Sequence, residues 1–507
     1  MFRQCLFIIV AMAMSLVVSG CAPTIEQTET SAISASTATP VLVPATAPTS
    51  TNTPRPIPAE PADVIFHNGT IITIEESMPL AEAIALRNGS IQAVGTSEDI
   101  LALQGPDTVV IDLKGSTMMP GFIEGHTHFI LSSLQDGKPL EETMNTLLGF
   151  GLTSVSEMNV DLGFIEAMLA AEQNDQLRVR VNLFPNYNAT FLDNGKTIID
   201  RTWYLDHEPI LDPTRMLRIP GVKIFADGSG ESGRGCAYKT FTFPENITEV
   251  WPNVWDVCGT KYGDLYLTEA QLTEALRSIQ ERSYRASFHA TGDATIDAIL
   301  NALETVLGGE SNDIYRHQIQ HSTLMRQDQI KRYEDLDIIA TVQIGMSICG
   351  ADEYKAIFGE GHYEWLGNRY DLPKADIHTY AIGDFGRQDP FDLSLPFPLN
   401  PIMNLYGLVT HRQLHSDGSF CSPPEWISRH AISVERTLEM LTIEPAYAVS
   451  MEDYIGSLKP SKYADLIILS DNPLTMDSGE LYELKVWMTM VGGKVEYCTI
   501  GHEGICP

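Results

Sequence analysis

The chain has 507 residues, 44% of them hydrophobic, with 38 Gly and 29 Pro. At roughly 100–200 residues per domain this leaves room for a large core, and the ordinary apolar content excludes wholesale disorder, collagen and coiled coil. Against 66 Asp+Glu stand 33 Lys+Arg, a net charge of −33; such a field repels phosphate backbones, which excludes nucleic acid as a partner.

The first element reads as an address. Arg3 gives a basic n-region, and residues 6–18, LFIIVAMAMSLVV, are apolar. That run is shorter than the span of about 20 residues that crosses a bilayer. It ends in Val18-Ser19-Gly20-Cys21, which resembles a bacterial lipobox whose Cys21 is lipidated. Residues 1–21 are therefore expected to be a lipoprotein signal peptide. Residues 22–61, rich in Ala, Ser, Thr and Pro, are expected to be a disordered tether. This places the protein outside the cytoplasm, held to a membrane through a lipid anchor.

Six cysteines follow the address. An exported protein sits where disulfides persist. Cys498 and Cys506 bracket a short loop and are the first candidate pair. Cys236 with Cys258 is the second, leaving Cys349 with Cys421; buried free thiols are the alternative. None has the CxxC spacing of a zinc site.

A β region comes next. ADVIFHNGTIITI and AIALRNGSIQAVG alternate apolar and polar residues, and Asn68-Gly69 and Asn88-Gly89 are hairpin-turn dipeptides. A second β region closes the chain, with residues 465–469 and VWMTMVGGKVEY turning at Gly492-Gly493. Segments 62–119 and 448–507 are expected to meet in one small β-sandwich.

Between them lie eight apolar runs: 122–130, 153–160, 178–184, 221–228, 285–292, 316–323, 338–344 and 378–385. Helical patterns separate several. Thr268 with Gln271 fits a capping box before Leu272, Leu276 and Ile279. Asp293 is expected to cap a helix carrying Ile296, Leu300, Leu303 and Val306. Repeated strand–helix alternation is the pattern of an α/β (β/α)8 barrel, here residues 120–447.

Candidate chemistry sits at the ends of these runs. In Phe122-Ile-Glu-Gly-His126-Thr-His128, strand parity aims two imidazoles at one spot, and imidazole is a common zinc ligand. His289, His321 and Asp384 lie late in the fifth, sixth and eighth runs, at the end where such barrels build active sites. His317 reads as a satisfied interior histidine. Lys223 stands inside an apolar strand, where a cation is costly. One solution is a carbamate formed with CO2, an anionic ligand able to bridge two metals; the other is an ion pair with Asp227.

PGFIEGHTH, GVKIFADGS, FHATGD, RHQIQH, AIGDF, IGSLKPSKYADLIILSDNPL and VGGKVEY resemble the amidohydrolase superfamily. The resemblance is closest to its family-3 branch, which includes N-substituted formamide deformylase. It runs from residue 62 to 497, and it implies a TIM-like barrel with a β-sandwich from both chain ends. It also implies metal at His126, His128, His289 and His321, a carboxylated bridging Lys223, and Asp384 as catalytic residue and ligand. The cofactor is then one or two divalent ions, zinc first, with CO2 on Lys223.

Two departures stand out. The family's Gly-Ser-Asp on the eighth strand is here Gly383-Asp384. The loop after Gly228 keeps little of the family's wording, so substrate specificity does not carry over. Within that loop Arg234, Tyr238, Trp251 and Trp255 are candidates to hold substrate. The implied reaction is hydrolysis of a non-peptide C–N bond, amide or formamide-like, in a small molecule by metal-activated hydroxide. A deaminase or another hydrolase on the same scaffold is the alternative, followed by a non-catalytic binding lipoprotein. The oligomeric state is left open.

Overall fold

The computed structural model describes residues 60–188, 202–228, 236–237, 256–257, 265–345, 348–386, 389–392, 398–415 and 417–507. The signal segment with Cys21, the tether up to residue 59, and the loop residues Arg234, Tyr238, Trp251, Trp255 and Cys258 lie outside them. Residues 59–507 form one unit. No described helix is long and apolar enough to cross a membrane.

The strands in chain order are β1 (Val64–His67), β2 (Thr70–Ile72), β3 (Leu80–Ala81), β4 (Ala83–Arg87), β5 (Ser90–Gly95), β6 (Val109–Asp112), β7 (Thr117–Pro120), β8 (Phe122–Thr127), β9 (Leu152–Val160), β10 (Arg180–Pro185), β11 (Leu217–Arg218) and β12 (Gly221–Phe225). There follow β13 (Cys236–Ala237), β14 (Asp256–Val257), β15 (Arg285–Ala290), β16 (Gln318–His321), β17 (Ile339–Val342), β18 (Thr379–Ala381), β19 (Leu466–Leu469), β20 (Val486–Val491) and β21 (Lys494–Cys498).

All eight apolar runs contain a strand. With β11 added at one edge, these eight strands form two parallel arcs, β11-β10-β9-β8 and β12-β15-β16-β17-β18. No closed eight-stranded ladder joins the arcs among the described residues. One seam is crossed by a single parallel bridge, Asn186 to Lys223. The other is crossed by backbone N–H donation from Asp384 to His126 O at 2.9 Å and from His128 to Phe385 O at 2.8 Å. The strands are buried on both faces, as expected where helices cover a parallel sheet.

The covering helices follow their sequence signals. Thr268 and Gln271 form the capping box, and helix Glu269–Glu281 buries Leu272, Ala275, Leu276 and Ile279. Helix Asp293–Leu307 buries Ile296, Leu300 and Leu303 and ends on Gly308 at φ 59°, the left-handed cap glycine adopts readily. Asp293 does not cap it. Gly292 is the cap residue, and Asp293 sits in the first turn, where its carboxylate accepts from Arg326 at 2.9 Å.

Both chain ends share one six-stranded sheet, β21-β20-β19-β7-β2-β3, with β19 antiparallel to β7. A four-stranded sheet, β5-β4-β1-β6, lies beside it. Phe66, Ile84, Leu86, Met118, Leu466, Ile468, Met488 and Met490 from the two sheets form a common core. Asn88-Gly89 makes a two-residue hairpin between β4 and β5, with φ 49° and 76°, the signature of a primed turn. Gly492-Gly493 does the same between β20 and β21. Asn68-Gly69 corrects the expectation. It is a turn, but β1 and β2 enter different sheets, so no hairpin forms.

Disulfides join Cys349 to Cys421 and Cys498 to Cys506. Cys236 is also disulfide-bonded.

Candidate active site

Strand β8 carries His126, and His128 follows it directly, ahead of helix Phe129–Gln135. The Nε2 atoms of both rings lie 3.4 Å from Oδ1 of Asp384. Asp384 stands just beyond β18 in the left-handed region, φ 49°. His321, the last residue of β16, is also left-handed at φ 70°, and its Nδ1 lies 3.8 Å from Asp384 Oδ2. Lys223 on β12 places Nζ 3.3 Å from His126 Nε2. The His289 ring on β15 stands 4.5 Å from that of His321, while its Nε2 faces Gly228 O at 3.2 Å. All six predicted residues thus gather at the C-terminal ends of the two arcs. Strained φ values of this kind concentrate at functional sites.

The outer partners of the rings set their tautomers. His126 Nδ1 meets Gln320 Oε1 at 2.9 Å, His128 Nδ1 meets Met158 O at 3.0 Å, and His321 Nδ1 meets Gln343 Oε1 at 3.1 Å. Each partner is an acceptor, so Nδ1 carries the proton and Nε2 keeps its lone pair. Gln320 is itself fixed, donating to Tyr380 OH at 2.9 Å and to Gln318 Oε1 at 3.0 Å.

Burial decides the charge states. It holds His126 and His289 well below the usual imidazole range and brings His321 down to about 4, so these rings are neutral at pH 7. Burial opposes ionisation of Asp384 too, but the surrounding His126, His128 and His321 hold its carboxyl far below the ordinary range. Burial also lowers Lys223 to about 7, with Asp384 alone opposing it.

Asp227 is not the lysine's partner, which corrects the ion-pair alternative. Its carboxylate is taken by the backbone N–H groups of Gly292 at 2.9 Å, Thr291 at 3.1 Å and Cys236 at 3.2 Å, and by the Thr295 hydroxyl at 2.7 Å. Three backbone donors out-compete one ammonium that desolvation already disfavours. His317 is satisfied as expected, with Nδ1 accepting from Ala286 N at 2.9 Å.

Two carboxylates escaped the sequence reading. Glu124 accepts from the N–H of His126 and of Gly383, both at 2.8 Å; burial pushes its carboxyl up to about 8. Glu157 accepts from the N–H of Leu131 at 2.9 Å and Ile130 at 3.1 Å, the first turn after His128. Glu124 was legible, because it shares strand parity with His126. No side chain fits at Gly383: a β-carbon there would stand 2.5 Å from Pro398 O and 2.8 Å from Glu124 Oε2.

A model of the amidohydrolase family matches residues 135–497. The chain belongs to the amidohydrolase family. As a member it is a hydrolytic enzyme, in a family that typically uses divalent metals. Among curated proteins it is similar to Protein LONG AFTER FAR-RED 3 of Arabidopsis thaliana, 22% identical over 86% of this chain and 92% of that protein. It is also similar to N-substituted formamide deformylase of Arthrobacter pascens, 20% identical over 86% of this chain and 98% of that protein. Among solved structures, an uncharacterized metal-dependent hydrolase of Pyrococcus horikoshii OT3 superposes with a TM-score of 0.63 at 20% identity, covering 82% of this chain and 99% of that one. That likeness shows a TIM-barrel-like α/β fold.

The donor set fits a divalent metal. Ligand atoms of His126, His128 and Asp384 lie within 4.8 Å of one another, and neutral imidazole with carboxylate is a borderline set suited to zinc. Cys349, Cys421 and His415 are equally close. There the two sulfurs are bonded to each other, so they offer no thiolate.

Proposed function

We propose that this amidohydrolase cleaves a non-peptide C–N bond, amide or formamide-like, in a small molecule. The convergence of His126, His128, Lys223 and Asp384 carries the reading. His126, His128, His289, His321 and Asp384 would hold one or two divalent ions, zinc first, with Lys223 as a carboxylated bridge. Its lowered affinity for a proton favours the free amine that reacts with CO2, and its Nζ already faces His126. The ion would supply Lewis acidity toward a carbonyl and a nucleophile at neutral pH. Asp384 is ionised and lies beside His126 and His128, so its Oδ1 is where a proton is held before it passes to the leaving nitrogen. Glu124 and Glu157 hold the backbone on either side of the two histidines. The outer sheets act as a β-sandwich domain packed on the hydrolase arcs. The enzyme works outside the cytoplasm, held to a membrane through lipidated Cys21.

Dialysis of the purified enzyme against a chelator, followed by zinc, tests the reading. Turnover of N-alkylformamides should vanish and return, with amine and formate as products. Ammonia from an aminated heterocycle, with no amide turnover, would replace this reading by a deaminase. Undiminished activity in metal-free protein would overturn it.

A further inference from the structure

Four asparagines stand on or just after β9 and β10, and two of them are spoken for. Asn188 accepts from Phe225 N at 2.9 Å and donates to Phe225 O at 2.8 Å. Asn182 donates to Val155 O at 3.4 Å and accepts from Arg218 at 3.5 Å. Asn159 and Asn186 differ. Their carboxamide oxygens are buried and accept no hydrogen bond among the described residues. Buried acceptors are matched in the great majority of cases, so two unmatched ones side by side need a reason.

Their placement supplies one. Asn159 follows Met158, whose carbonyl orients His128, and it sits in the left-handed region at φ 65°. Asn186 pairs with Lys223 across the seam between the arcs. Its backbone N–H donates to Val160 O at 3.2 Å, so the two asparagines occupy adjacent strand ends. In strand order these ends fall between His128, which follows β8, and Lys223 on β12. Both residues are partly exposed, and the terminal torsion of Asn is broad, so a small rotation turns either oxygen toward a ligand.

We propose that Asn159 and Asn186 form a substrate subsite whose two oxygens share, in one three-centre hydrogen bond, the single N–H of a secondary amide or formamide, R–CO–NH–R′. The inference rests on the hydrolase reading and adds the part of the substrate that is recognised. An oxygen pair without internal donors suits a ligand that brings its own. A site built to hydrogen-bond an N–H rejects the analogue lacking it strongly, because the acceptors are then left unpaired. The enzyme should therefore discriminate against N,N-disubstituted amides.

The test uses full-length, zinc-loaded enzyme with N-propylformamide and N-methyl-N-propylformamide. Binding is followed by calorimetry, with turnover measured in parallel. The N–H compound should bind at least tenfold more tightly. Asn159→Gly, which keeps the left-handed backbone, and Asn186→Ala should each bring the ratio toward one, with zinc content and thermal midpoint unchanged. Asn186→Asp, which keeps an acceptor, should retain discrimination. Equal binding of the two compounds, binding of neither, or a preference that survives both variants would overturn the subsite. Turnover of both compounds without discrimination sinks the subsite and leaves the hydrolase reading standing. Discrimination in binding without turnover does the reverse.

Discussion

Glu124 Oε1 accepts the backbone N–H of His126 at 2.8 Å, and its other oxygen accepts that of Gly383 at the same distance. One side chain thereby fixes β8 relative to the segment bearing Asp384. Glu124→Gln would set an amide N–H₂ against one of these donors. An unsatisfied buried donor costs about 1–3 kcal/mol, and loss of an outer partner to metal ligands typically weakens metal binding about 10–100-fold. Urea unfolding and a zinc titration should show both losses. Native zinc affinity in the variant would mean the two strands are held in register by other contacts.

On the proposed bridging role of Lys223, whose Nζ lies 3.3 Å from His126 Nε2, Lys223→Ala should lose metal and activity together. Small carboxylates or bicarbonate added to the variant should partly restore metal occupancy by filling the vacated space. A purified variant carrying two metals per chain with near-normal turnover would rule the carbamate out.

His317 gives the fold a pH dependence separate from catalysis. Burial first, and the nearby Arg285, lower its imidazole to about 3, against about 6.5 in the unfolded chain. Between these values the unfolded state binds the extra proton. Stability is therefore fully present above pH 6.5 and falls as pH drops toward 3, by up to about 1.4 kcal/mol per pH unit from this group. His317→Asn, which can still accept from Ala286 N, should flatten the slope by about one proton. Urea midpoints between pH 4 and 7 would measure it, and an unaltered slope would assign the dependence elsewhere.

On the proposed lipid anchor at Cys21, Cys21→Ser should release the protein from membranes, because the 6–18 run is too short to anchor it alone. A variant that still sediments wholly with membranes would contradict the lipid anchor.

Periodicity and strand parity carried most of the architecture. Each of the eight apolar runs holds a strand, because parallel strands must be buried and therefore read as apolar runs; His126, His289, His321 and Asp384 stand at or beside strand ends, and Lys223 in the middle of β12. What escaped was set by long-range competition for polar atoms. Asp227 looks like a partner for Lys223 until Thr291, Gly292 and Cys236 arrive with their N–H groups from other segments. Asn68-Gly69 carries a hairpin signal, but Gly69 must lie against Leu113 and Ser116, and the chain passes there from one sheet to another. Asn159 and Asn186 have no local signature, since their distinction is a missing partner.

The pairing of β7 with β19 has a consequence for how the protein is made. Met119 faces Ile467 across that ladder, so a strand synthesised early waits for one near the chain's end. Contacts of such sequence separation form slowly. The six-stranded sheet cannot be completed until both hydrolase arcs have been synthesised. A chain stopped before residue 465 would keep every proposed metal ligand and still present β7 as a bare edge, an invitation to aggregation.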